Sequence, residues 1–157
     1  MKIRSVESDA RRHAFHVATS RGVFEFPWAQ LDSPPTAANP IVEAAPDPEL
    51  GREAFTYRLA SGAEGTVHID HVLRFVRDPD YMRDELLYVL TTEAQDAFST
   101  SGRTKRGLAR QLGTSLAQIA RLLDPTNRRK SVDHMVRLLG ALGKRVELRV
   151  VAAAVPA

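Results

Sequence analysis

Cysteine is absent from all 157 residues, which excludes a disulfide framework, a thiolate metal site and a cysteine nucleophile. Nowhere does an apolar run approach the ~20 residues that a bilayer-spanning helix needs. The N-terminus lacks the basic start and apolar stretch of a secretion signal. These absences lead us to expect a soluble, intracellular, cytoplasmic protein with no membrane partner. Glycine-rich phosphate loops and a nucleophile elbow are also missing, so an enzyme is not expected. What is present is a 43% apolar fraction, enough for a real core in one ordinary domain or two small ones.

Charge is unevenly spread. Residues 1–99 carry 10 Lys/Arg and 16 Asp/Glu, a net of −6, whereas residues 100–157 carry 12 and 3, a net of +9. A basic half joined to an acidic half is the pattern of a polyanion-binding module attached to something else.

Within the basic half, Lys105–Asp124 (KRGLARQLGTSLAQIARLLD) organises the chain. Leu108, Ala109 and Leu112 recur at helical spacing, as do Ile119, Leu122 and Leu123 after a break. Gly113 stands where the first helix must stop, and Thr114 or Ser115 can cap the second, with Gln118 at capping-box spacing from Ser115. Small Ala109, turn-forming Gly113 and apolar Ile119 hold the three structural positions of a helix-turn-helix.

At these residues, and through SVDHMVRLLGALGKRVEL beyond them, the chain resembles the lambda-repressor-like (XRE-type) helix-turn-helix family, in its antitoxin and autoregulator form. The resemblance covers about residues 82–150. It implies binding to double-stranded DNA. Where family members often carry Gln or Arg at the start of the recognition helix, this sequence has Leu116 and Ala117.

The rest of the chain reads in order as follows. Residues 2–7 and 13–18 are expected strands, and Val23, Phe24 and Phe26 complete a hairpin after Arg21-Gly22. Residues 32–51, with five prolines, read as an extended connection. Phe55, Tyr57 and Leu59 alternate as a strand, Ser61–Gly65 turns, and Thr66–Asp70 returns as its partner. Asp78-Pro79-Asp80 opens a helix that runs to about Ser99. Asp124-Pro125 stops the recognition helix, Ser131 caps another, Gly143 ends it, and residues 146–150 alternate as a closing strand. The expected architecture is α+β: a small N-terminal antiparallel β unit of unknown role (1–77), followed by an all-α lambda-repressor-like helix-turn-helix bundle with a C-terminal strand (78–157).

Two constellations bear on chemistry. His68-Ile69-Asp70-His71 resembles a metal cluster, but two ligands on one strand face are too few for zinc, and His13 and His16 could add to it only by folding alongside. No metal and no cofactor are therefore expected. The basic set is more informative. Lys105, Arg106, Arg110, Arg128, Arg129 and Lys130 flank the motif and suit phosphate contacts. Ser115, Leu116, Ala117, Gln118 and Arg121 lie early on the recognition helix, where base edges are read. Arg121 could equally clamp a phosphate, and Gln118 could be spent on the capping box. The sequence thus points to a dimeric bacterial transcriptional repressor of antitoxin type, working as a homodimer and accompanied by a cognate toxin or other protein. The alternative is a protein-interaction adaptor, with the bundle as scaffold and the acidic β unit binding a partner.

Overall fold

Alternating apolar residues at the N-terminus form a three-stranded antiparallel meander of β1 (Ile3–Asp9), β2 (Ala14–Thr19) and β3 (Gly22–Pro27) in the computed structural model, which describes residues 1–152. Phe15 stands opposite Phe26 and Val17 opposite Phe24, so the apolar side chains gather on one face. A single-turn 3₁₀ helix at Trp28–Gln30 follows.

A second sheet comes next, of β4 (Ile41–Pro46), β5 (Ala54–Leu59) and β6 (Glu64–His68) in that order. β4 (Ile41–Pro46) lies inside the stretch expected to be an extended connection. Its prolines do not forbid it, because Pro40 precedes the strand and Pro46 ends it, and within this sheet the strand pairs only with β5. A proline lacks the N–H that a central strand would need on both sides, but an edge position tolerates it. The partner strand expected over Thr66–Asp70 is also shifted. β6 begins at Glu64, and Ile69 already starts a helix, α1 (Ile69–Phe75). His68 caps that helix, its Nδ1 accepting the Asp70 N–H at 3.3 Å, and Ile69, Val72 and Leu73 are buried at helical spacing.

Both sheets and α1 share one core, in which Phe15, Phe55, Ile3, Ile69, Val17 and Val72 are almost fully buried. The Phe15 and Phe55 rings meet edge-on at 4.9 Å, one from each sheet. Arg52 ties the sheets together, its Nε and Nη2 donating to the Ile3 and Arg4 carbonyls at 3.1 and 2.7 Å. The Ile3 N–H returns a bond to the Arg52 carbonyl at 2.7 Å.

Four more helices follow: α2 (Pro79–Thr100), α3 (Lys105–Leu112), α4 (Leu116–Leu122) and α5 (Val132–Ala141). The chain divides into two compact units at Met82/Arg83, so α2 starts in the first and continues in the second. In the second unit Leu87, Leu90 and Ala94 from α2 pack with Leu108 and Ala109, Ile119 and Leu122, and Met135, Leu138 and Leu139. Burying a side chain such as Ile119, at 0% exposure, is worth about 1.5–3 kcal/mol. No helix among the described residues is long and apolar enough to cross a membrane.

The expected architecture of one small β unit followed by an all-α bundle with a closing strand therefore needs correction. The N-terminal unit holds two three-stranded sheets and a helix of its own. No strand forms at 146–150: Val146 packs on the helical core, while Leu148 and Val150 stand exposed without a ladder partner among the described residues.

Candidate nucleic-acid interface

The α3–turn–α4 segment is built from local signals. Thr104 caps α3 by accepting the Gly107 N–H at 3.0 Å. At the other end Gly113 adopts φ 63° and ψ 37°, a left-handed conformation that glycine enters without a Cβ penalty. The Thr114 N–H then returns to the Ala109 carbonyl at 2.9 Å, closing the helix end. Of the two possible caps for α4, Ser115 is used: its Oγ accepts the Gln118 N–H at 3.0 Å. The Gln118 side chain makes no hydrogen bond among the described residues, so the reciprocal arm of a capping box is not formed. Ala109 and Ile119 are buried between the helices.

α4 turns Ile119 and Leu122 inward and leaves Leu116, Ala117, Ala120 and Arg121 exposed, with Gln118 half-buried. Its C-terminal carbonyls lack the i+4 N–H partner of the helix interior, and side chains reach them from three directions. Asn127 Nδ2 donates to the Arg121 carbonyl at 3.2 Å, Gln95 Nε2 to that of Leu123 at 2.8 Å, and Lys130 Nζ to that of Leu122 at 2.9 Å. The same ammonium donates to the Asp124 carbonyl at 2.7 Å. The helix is thus pinned to α2 and to the following loop, with one face left to solvent. Gln95 and Asn127 escaped the sequence reading, because nothing in the local pattern marks a side chain that reaches a carbonyl 28 or 6 residues away.

The basic residues divide into three groups. Lys105, Arg106 and Arg110 on α3, Arg121 on α4 and Arg129 in the loop are exposed, and none makes an ion pair among the described residues. Arg128 is exposed but pairs with Asp84 at 3.2 Å, while Arg83 holds the carbonyls of Arg128 and Lys130 at 3.1 and 3.3 Å. Lys130, expected to contact phosphate, instead lies 5% exposed with its ammonium turned into the bundle. Burial lowers its pKa from the ordinary lysine value, against a smaller opposing pull from Asp124. Arg103, not singled out from the sequence, donates to Gln111 Oε1 at 2.6 Å.

The histidines do not assemble. His68 caps α1, His71 is exposed on that helix, His16 lies 3.6 Å from Glu25, and His13 packs against Trp28 with ring centroids 5.5 Å apart. Among the described residues no group of three or more His, Asp or Glu side chains could hold a metal ion.

Comparison with protein-family models, with curated proteins and with solved structures gives no match for this chain.

Proposed function

We propose that α3 and α4 form a DNA-binding helix-turn-helix and that the chain is a dimeric, cytoplasmic transcriptional regulator of the lambda-repressor-like (XRE) kind, acting as a repressor of antitoxin type. The observation that carries this reading is the outward face of α4. Ser115, Leu116, Ala117, Gln118 and Arg121 line it or its start, and the adjoining α3 and the loop after α4 carry exposed Lys105, Arg106, Arg110 and Arg129, which make no ion pair among the described residues. Phosphate contacts from such cations would set the register, and the α4 side chains would meet base edges in the major groove. Leu116 and the alanines suit thymine methyls, Gln118 an adenine edge, and Arg121 a guanine edge. Lys130 takes no part in this reading, because its ammonium is committed to α4.

Salt titrations of duplex binding test the proposal, using a selected operator and a scrambled duplex. Arg121→Ala should cost about 1–3 kcal/mol on the operator and much less on the scrambled duplex. Equal losses on both would make Arg121 a phosphate clamp. Absence of salt-dependent binding to any duplex would remove the proposal.

One observation favours the adaptor reading as well. Glu43, Asp47, Glu49 and Glu64 line a groove of about 310 Å³ over β4 and β5, with Arg58 as its only basic residue. Such a surface would suit a basic partner such as a toxin, and Glu43→Lys/Glu49→Lys would weaken that partner without touching duplex affinity.

A further inference from the structure

The segment after α5 carries the alternation of a strand yet pairs with nothing among the described residues. Val146 rests on the helical core, and from that anchor Leu148 and Val150 continue with 63% and 96% of their surface in water. Leu148, Val150 and Val151 are thus exposed apolar residues on a segment without a ladder partner among the described residues, and an unpaired strand-like segment of this kind favours strand addition. We propose that its edge is completed by the same segment of a second copy, in an antiparallel pair centred on Leu148. The proposal rests on the two-copy reading given above and supplies its interface.

Sequence chemistry selects that register. With Leu148 opposite Leu148 of the second copy, Val146 faces Val150, and Glu147 faces Arg149 twice over. The apolar face then carries Val146, Leu148 and Val150 from both copies, placing the second copy's Val150 beside Val146 over the helical core. Sliding by two residues one way sets Arg149 against Arg149. Sliding the other way sets Glu147 against Glu147 and Arg145 against Arg149. Like charges directly opposite are destabilising in a ladder, and a one-residue slip puts apolar against polar side chains. Parallel in-register pairing also stacks like charges. Within one copy Glu147 pairs with Arg145 alone among the described residues, with 74% and 85% of the two side chains exposed, so that bond is readily exchanged for the cross-strand one.

The test uses the full chain and sedimentation equilibrium. Glu147→Arg alone, or Arg149→Glu alone, should raise the dimer dissociation constant about tenfold or more, because each converts two attractive pairs per dimer into repulsive ones. The double exchange Glu147→Arg/Arg149→Glu restores both pairs and should return dimerisation to near that of the parent. Because the chain has no cysteine, Leu148→Cys gives an independent readout. Cα atoms opposite each other in a ladder lie about 4.5–5.5 Å apart, within disulfide range, so air oxidation should cross-link Leu148→Cys far faster than Val150→Cys. A monomer at about 100 μM, far above the ~μM affinities of ordinary weak complexes, would overturn the proposal. A dimer indifferent to the single charge changes would overturn it too. Failure of the DNA-binding reading shows separately, as loss of salt-dependent duplex affinity in a chain that still dimerises.

Discussion

The Lys130 ammonium donates to the carbonyl oxygen of Leu122 at 2.9 Å and so closes the C-terminal end of α4 from inside the bundle. A residue that its neighbours Arg128 and Arg129 suggest as a third phosphate contact is instead a helix cap. Cations stabilise helix C-termini, where the last carbonyls concentrate negative potential.

Lys130→Met should therefore cost about 1–3 kcal/mol of stability, since it leaves the Leu122 and Asp124 carbonyls without this donor. The salt slope of duplex binding should stay unchanged. Burial lowers the Lys130 pKa below 10.5 in the folded chain, so over that interval the unfolded chain binds more protons. Stability of the parent should rise with pH through the alkaline window below 10.5, and the Met variant should show a flatter profile. Urea melts at a series of pH values up to 10.5 measure both.

On the DNA-binding proposal, Arg106→Ala, Arg110→Ala and Arg129→Ala should each weaken all duplexes alike and lower the salt slope by about 1. Arg128→Ala should do less, because Asp84 already neutralises part of its charge at 3.2 Å. Fluorescence anisotropy on one random duplex at several salt concentrations checks the ranking. A larger slope change for Arg128 than for Arg129 would contradict it.

Asp78 is buried and takes both Nη atoms of Arg21, at 3.0 and 2.5 Å, while capping α2 through the Tyr81 N–H at 2.9 Å. Burial pushes its carboxyl pKa up, but the Tyr81 N–H and the Arg21 guanidinium outweigh this and hold it below 3.8. Its contribution is thus complete above 3.8 and is lost as pH falls through the lower folded value. Asp78→Asn should destabilise by about 1–3 kcal/mol at neutral pH. It should also flatten the acid limb of the stability profile, followed by thermal melts in citrate.

Gly65 lies directly under the Tyr57 ring, and a Cβ there would meet the ring and its hydroxyl. Gly65→Ala should cost about 1–3 kcal/mol through displacement of that ring. The pairing of β5 with β6 opposite this point should also loosen, visible as faster amide exchange at Tyr57. Gly62→Ala is the comparison: nothing lies near its Cβ, although φ is 86°, so its cost is backbone strain and Tyr57 should be unaffected.

Much of the candidate site was legible in the residues. Gly113 as helix stop, Ser115 and Ser131 as caps, Asp78-Pro79 as a helix start and the Phe15–Val17 alternation all act within a few residues, and each stands where its local chemistry requires. α1 carried a usable signal too, since Ile69, Val72 and Leu73 follow helical spacing. Its short length and the strand-like run before it hid that signal.

Sequence by itself determined the two helices that meet at Gly113, the hairpins and the charge division, because capping, glycine conformation and side-chain periodicity are decided between near neighbours. Tertiary structure alone decided that the β region splits into two sheets, that Ile41–Pro46 becomes an edge strand, that Lys130 turns inward and that residues 146–150 find no ladder partner among the described residues. Each of these depends on which distant backbone edge or carbonyl offers the better partner, and that competition is settled only when the whole core is assembled.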